Sequence, residues 1–119
     1  MTAEAAVVVL ARAALPTARR IAAATGGAVH APLSVVEADT PITAVAPHLR
    51  ALFAAGRPIV GVCAAGILVR ALAPVLGDKH DEPPVLAVAA DGASVVPLLG
   101  GHRGANALAA RLAHALGAH

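Results

Sequence analysis

The stretch that decides the fold is residues 58–90, which read PIVGVCAAGILVRALAPVLGDKHDEPPVLAVAA. Its first part, Pro58 to Cys63, is a short apolar run, which is typical of a strand buried on both faces. A turn with Gly66 leads into a helix pattern from Ile67 to Leu76, and a second apolar run covers Val85 to Ala90. A strand, a helix and a strand in this order predict two parallel strands joined by a crossover helix.

The same alternation continues towards the amino terminus. The valine-rich run Ala6 to Ala11 predicts the first strand. A helix is expected to begin near Pro16 and to reach Thr25, where the following pair of glycines ends it. Ala28 to Ala31 predicts a second, short strand.

The segment after residue 32 predicts a loop and another helix. Thr40 and Pro41 are expected to be the N-cap and the first residue of that helix, which ends at Gly56. Pro47 lies inside the pattern, so it predicts either a kink or a later start of the helix.

The carboxyl-terminal third predicts a hairpin and a last helix. Asp91 and Gly92 form a strong turn signal, so the strand Ser94 to Leu99 is expected to run antiparallel to its predecessor. The last helix is expected over about residues 104–116, with Gly117 at its end. Together these elements predict a three-layer α/β/α sandwich with a mostly parallel sheet and one carboxyl-terminal hairpin, as a single domain over residues 1–119.

Composition restricts the possible partners. The 119 residues suffice for one core, and 58% of them are hydrophobic, but Phe53 is the only aromatic residue. Aromatic stacking of a ligand is therefore excluded, and with it the usual platform for single-stranded nucleic acid. The formal charge is +2 without a cluster of basic residues, so we expect no nucleic-acid partner.

Compartment is also indicated by composition. Cys63 is the only cysteine, which excludes an intrachain disulfide and fits a reducing cytoplasm. The longest nearly apolar run, Ile59 to Val69, is too short to cross a bilayer, and the amino terminus lacks a basic leader. We expect a soluble cytoplasmic domain without a membrane partner.

Three segments carry candidate chemistry. In the first, Gly66 lies in a strand-to-helix turn whose free N–H groups can bind an anion, and Arg70 follows one turn later. The alternative is a glycine required for tight packing and a surface arginine. The second is the charged loop Asp78 to Pro83. Its three acidic residues, with Lys79 and His80, could bind a metal or shuttle protons, or the loop is simply solvated. Ligand spacing is poor, so we expect no metal site.

The third segment, GGHRGAN, covers Gly100 to Asn106 and opens the last helix. His102 can act as a general acid or base, and Asn106 can orient a carboxylate or polarise a carbonyl. Arg103 can bind a carboxylate, while Gly101 and Gly104 allow backbone N–H groups to approach it. The alternative is a loop in which His102 caps the helix or packs in a polar pocket.

A single site requires both glycine turns to share one edge of the sheet. Ligands of open α/β sheets bind outside the carboxyl ends of the strands. The predicted hairpin reverses the last strand, so the Gly66 turn and the His102 turn can meet only if their loops fold over. If the last strand runs parallel to the third strand instead, both turns face one crevice. We nevertheless expect one site that uses both.

Three ordered motifs resemble a known family. The segments Gly66 to Pro74, Asp78 to Val88 and Val96 to Ala109 are similar to the cobalamin biosynthesis G protein family, the cobalt-precorrin-5A hydrolases. A single glycine, Gly104, stands where the family usually has two. This shorter form resembles the version fused to a precorrin-3B C17-methyltransferase.

The resemblance implies a reaction and a substrate. The family opens the ring-A δ-lactone of cobalt-precorrin-5A and releases acetaldehyde, with cobalt carried by the tetrapyrrole and no cofactor of the protein's own. On this basis His102 and Asn106 are expected to be catalytic. The expected substrate-binding residues are Gly66, Arg70, Lys79, Gly101, Arg103 and Gly104.

Two other functions stay open. The family's carboxyl-terminal domain and the threonine-rich strand before it are not in this sequence, which favours a non-catalytic module that holds a precorrin for a partner methyltransferase. A small α/β domain that binds another anionic metabolite is the third possibility. Exposed Ala and Leu surface and an open sheet edge suggest that the chain can form a homodimer.

Overall fold

The computed structural model describes residues 4–78 and 80–118. The strands are β1 (Ala6–Val9), β2 (Ala28–Pro32), β3 (Thr40–Ile42), β4 (Ile59–Val62), β5 (Val85–Val88) and β6 (Val95–Leu99). The helices are α1 (Leu15–Thr25), α2 (Val45–Ala54), α3 (Ala65–Leu72) and α4 (Ala105–Leu116), with short 3-10 turns at Arg12–Ala14, Ala73–Val75 and Gly101–Arg103. Among the described residues, no helix is long and apolar enough to cross a membrane.

The six strands form one sheet in the order β3-β2-β1-β4-β5-β6. Every neighbouring pair is parallel except β5 and β6, which form the antiparallel hairpin. Gly92 makes the hairpin turn with a φ of 78°, a conformation that glycine adopts without strain. The predicted α/β fold, with its mostly parallel sheet and final hairpin, is confirmed.

The helices cover both faces of the sheet. In β1, Val7 and Val9 pack against α1 and α4, whereas Ala6 and Val8 belong to the cluster beneath α2 and α3. All four side chains are buried, because a central parallel strand has a helix layer on each side. This explains why β1 is an unbroken apolar run and not an alternating one.

The two edges of the sheet have different roles. We call the edge where β1 to β5 begin the amino edge, and the edge where they end the carboxyl edge. Because β6 runs in the opposite direction, it begins at the carboxyl edge and ends at the amino edge. The segment after Leu99 therefore lies at the amino edge, beside the residues that precede β5.

One predicted boundary is wrong. Thr40 and Pro41 belong to β3 and do not start a helix; the helix begins at Val45. Pro41 is tolerated because β3 is an edge strand, where one missing N–H is acceptable. Pro47 then falls in the first turn of α2, so of the two alternatives the later start is correct.

A pair of histidines joins β2 to α2 on the face of the sheet that α2 and α3 cover. His30 is buried, and its Nδ1 lies 2.8 Å from Nε2 of His48. The Nε2 atom of His30 is buried and has no hydrogen-bond partner among the described residues. Burial, with the positive charges of His48 and Arg57, lowers the pKa of His30 to about 4, and the nearby Asp39 carboxylate opposes this shift.

The lowered pKa of His30 predicts acid-sensitive folding. Above pH 6.5 the imidazole is neutral in both states and contributes no pH dependence. Between pH 6.5 and pH 4 only the unfolded chain takes up the proton, so the free energy of unfolding falls by about 3 kcal/mol. We expect His30→Leu to remove most of this slope in urea unfolding measured from pH 7 to pH 4. An unchanged slope in the variant would contradict the assignment.

Candidate functional site

The expected site residues fall on two different edges. Gly66 lies at the start of α3, directly after β4, and therefore at the carboxyl edge. Gly101, His102, Arg103 and Gly104 follow β6 and lie at the amino edge. The expectation of one site built from both glycine turns is wrong, since the antiparallel direction of β6 separates them by the length of the strands.

The remaining expected residues divide in the same way. Asn106 is exposed in the first turn of α4, beside the His102 turn. Arg70 is exposed in the last turn of α3, on the face of the sheet opposite α4. Lys79 lies outside the described residues. The tight-packing alternative for Gly66 is also wrong, because a Cβ there would meet nothing within 4 Å; the close contact is at Gly61, whose Cβ would lie 2.7 Å from Leu68.

Two glycines shape the His102 turn. Gly100 and Gly104 have φ values of 82° and 94°, and they enclose the 3-10 turn Gly101–Arg103. The carbonyl of Gly100 accepts hydrogen bonds from the N–H groups of Arg103 at 2.8 Å and Ala105 at 3.2 Å. His102 does not cap α4: its N-cap residue is Gly104, and no side chain makes a cap hydrogen bond.

Arg103 ties the charged loop to this turn. Its Nε donates to the carbonyl of His80 at 2.8 Å, and its Nη2 donates to Oδ1 of Asp81 at 3.3 Å. The loop and the turn are 22 to 23 residues apart in sequence, and the hairpin brings them together. The second and third candidate segments thus form one cluster, although the first does not join it.

Two imidazoles and a carboxylate lie at the centre of this cluster. The ring centroids of His80 and His102 are 4.2 Å apart with an interplanar angle of 37°. Oδ1 of Asp78 accepts hydrogen bonds from the backbone N–H of His80 at 2.9 Å and from its Nδ1 at 3.0 Å. These bonds to His80, with a smaller contribution from the charge of His102, lower the pKa of Asp78.

The cluster adjoins a cleft at the amino edge. The cleft has a volume of about 650 Å³, within the range of small-molecule sites. Its walls are the starts of β1, β4 and β5, the end of α1, and the first turns of α4. The polar residues in its lining are Glu4, Thr25, Arg103 and Arg111, and the apolar lining includes Pro58, Pro84, Ala107 and Leu108.

Arg111 lines the cleft, although no motif of the sequence marks it as a site residue. It forms no hydrogen bond or ion pair with any residue in ranges 4–78 and 80–118. A signal was present: Gly104, Leu108 and Arg111 are spaced by four and three residues, which places them on one face of a helix. The sequence shows the positive charge on that face of the helix. It does not show that residues near the amino terminus form the opposite wall of the cleft.

Two further findings concern metal ligands and the single thiol of the described residues, Cys63. No group of three or more His, Cys, Asp or Glu side chains in ranges 4–78 and 80–118 is placed to hold a metal ion. Burial raises the pKa of the Cys63 thiol, which keeps it protonated and makes it a poor nucleophile. Proton transfer by imidazole and electrostatic binding of anions are the chemistry that this edge offers.

The fold and the site define an α/β domain with imidazoles and arginines beside a cleft at its amino edge. Comparison with known proteins gives the family. The family model described as "Cobalamin synthesis G N-terminal" matches residues 47–119, more than half of the chain, and the chain belongs to this family. The match connects the chain with cobalamin biosynthesis.

Curated relatives and a solved structure agree. A cobalt-precorrin-5A hydrolase of Salmonella typhimurium is 43% identical over 70 residues, and one of Priestia megaterium is 38% identical over 72. The matches cover 58% and 60% of this chain and 20% and 19% of those enzymes, so the chain matches about a fifth of their length. The crystal structure of a cobalamin biosynthesis protein G homologue from Sulfolobus solfataricus superposes with a TM-score of 0.73 at 19% identity, covering 97% of this chain and 35% of that one.

Proposed function

We propose that this chain is the part of a cobalt-precorrin-5A hydrolase that binds the tetrapyrrole and carries the proton-transferring histidine. The substrate class follows from the names of the curated relatives and from the charge of the cleft. A corrin precursor carries many carboxylates, and Arg103 and Arg111 are exposed cations in the cleft lining. The observation that carries the proposal is the His102 turn, which joins this cleft through Arg103 and Gly104.

In the proposed reaction, water adds to the carbonyl carbon of the ring-A δ-lactone, and the bond from that carbon to the ring oxygen breaks. His102 accepts the proton of the attacking water and returns it to the departing oxygen. The amide of Asn106 donates to the carbonyl oxygen as negative charge develops there. The hydroxyl that this leaves on C20 then loses its proton, its oxygen becomes the carbonyl oxygen of acetaldehyde, and the carbon–carbon bond from C20 to the macrocycle breaks. The electron pair of that bond stays with the macrocycle, which also keeps the cobalt throughout.

The contacts of the charged loop support this assignment of roles. His102 makes no hydrogen bond with a described residue, so both ring nitrogens can serve a water molecule and a substrate. Its neighbour His80 is held by Asp78, and Arg103 holds the loop against the turn. A candidate base that is free, beside groups that are fixed, is the arrangement that proton transfer to a bound substrate needs.

The experiment is a titration combined with an assay of turnover. Cobalt-precorrin-5A is added to the 119-residue chain, binding is followed by absorbance, and acetaldehyde is measured in the same samples. We expect a saturable spectral change and release of acetaldehyde. Binding without acetaldehyde would contradict hydrolysis by this chain and favour the precorrin-binding module. Absence of binding would contradict both.

A further inference from the structure

We propose that the amino-edge cleft is a subsite for a carboxylate side arm of the ligand, with Arg111 as its anchor and Glu4 as an opposing charge that limits which arm enters. The ligand's identity as a tetrapyrrole rests on the proposed function. The subsite itself rests on the geometry of the cleft. The proposal gives a role in ligand specificity to Glu4 and Arg111, which are far from each other in sequence.

The two cations of the cleft lie at different heights along α4. Arg103 ends the 3-10 turn, and Arg111 lies seven residues into the helix from Gly104. A rise of 1.5 Å per residue places the Cα atoms of Gly104 and Arg111 about 10 Å apart along the axis of α4. This spacing suits a ring with several carboxylate arms, which can place one arm near each end of the site.

The two arginines also differ in their hydrogen-bond partners. Arg103 already donates to the charged loop through Nε and Nη2, so part of its guanidinium is occupied. Arg111 is exposed and has no partner of this kind among the described residues. An arginine with a free planar fork in a cleft is suited to bidentate binding of a carboxylate.

Apolar side chains line the cleft between the charged residues. Ala107 and Leu108 on α4 face Pro58 and Pro84 at the starts of β4 and β5. These apolar surfaces fit the methylene groups of an acetate or propionate arm, while the arginine binds its end. A shallower groove of about 490 Å³ on the other side of Arg111 also has a mostly apolar lining, but Arg103 is not part of it.

Glu4 gives the subsite a direction. It lines the cleft from the start of β1, and its backbone carbonyl accepts hydrogen bonds from Arg57 at 3.3 and 3.4 Å. Its carboxylate repels an anionic arm that approaches from the β1 side, so the arm is directed towards α4. Removal of this charge should therefore strengthen binding of any polycarboxylate, although it also removes selectivity.

The test uses uroporphyrin III, a stable tetrapyrrole with eight carboxylates, in an absorbance titration of the full chain. Arg111→Gln is expected to raise the Kd about tenfold, as loss of one charge-assisted contact does. Glu4→Gln is expected to lower the Kd roughly twofold to fivefold. The ratio of the Kd of Arg111→Gln to that of Glu4→Gln should become smaller in high salt, because salt screens both charges. Arg12→Gln, the same charge change at the carboxyl edge, is the matched control and should leave the Kd unchanged.

Partial unfolding would weaken binding in both cleft variants, so it cannot explain a Kd that rises in Arg111→Gln and falls in Glu4→Gln. Circular dichroism checks the folding of each variant independently. An Arg111→Gln variant that binds uroporphyrin III like the original chain would overturn the subsite, and so would equal effects of Arg111→Gln and Arg12→Gln. Failure of the proposed function is a different result: turnover would be absent although the Arg111-dependent binding persists.

Discussion

His102→Ala is expected to reduce acetaldehyde release from cobalt-precorrin-5A at least about 100-fold, the usual contribution of a general acid or base. The side chain is exposed in the turn between Gly100 and Gly104, so its removal leaves no cavity. The stability of the fold should therefore stay within about 0.5 kcal/mol. Binding of the tetrapyrrole should also persist, because the arginines of the cleft remain in place.

The matched control for this variant is His114→Ala. His114 is an exposed histidine of α4, the helix that follows the His102 turn, and it lies in the last turn, at the end of the helix away from His102. We expect it to turn over substrate normally. Normal turnover by His102→Ala would contradict the assignment of His102 as the catalytic residue. The next residue to replace would then be His80, whose ring lies beside that of His102.

Gly100→Ala is expected to lower the free energy of unfolding by about 2–5 kcal/mol, through strain and overpacking together. The backbone of Gly100 has a φ of 82°, which is unfavourable for alanine. A Cβ there would also lie 2.5 Å from the carbonyl oxygen of Pro83 and from backbone atoms of Pro84. Because these contacts are with backbone, no side chain can move aside to make room.

Gly104→Ala separates the two causes. Gly104 has a φ of 94°, but its Cβ would meet nothing within 4 Å, so this variant shows the backbone strain alone, about 1–2 kcal/mol. Urea unfolding of both variants gives the cost of the close approach as the difference. Equal stability of the two would mean that β6 and the segment before β5 are not in contact at the amino edge.

Most of the fold could be predicted because its signals are local. Apolar runs separated by glycine turns mark the strands, and the turn at Gly92 marks the hairpin. The exception is β3, which has three residues and exists through its pairing with β2. Pro41 looked like the start of a helix, since a proline suits both a first helical turn and an edge strand.

The site could be predicted in part, and the direction of one strand explains the rest. The residues of the His102 turn were found because glycines, a histidine and an arginine stand together in sequence. Their position relative to Gly66 depends on the antiparallel direction of β6. A predicted hairpin and a single site that includes Gly66 are in conflict, because the hairpin sends the His102 turn to the other edge of the sheet. The opposite wall of the cleft, with Glu4 and Thr25, comes from segments about 80 to 100 residues away, and no local pattern links them to α4.

The central claim is that the tetrapyrrole binds at the amino edge, and mapping of backbone amide chemical shifts by NMR tests it most directly. Uroporphyrin III is added to the labelled chain, and the shifted amides are assigned. The largest changes are predicted at Glu4, in residues 77–84 and in residues 100–111. Changes centred on the carboxyl edge instead, around Leu10 and in residues 63–67, would contradict the account.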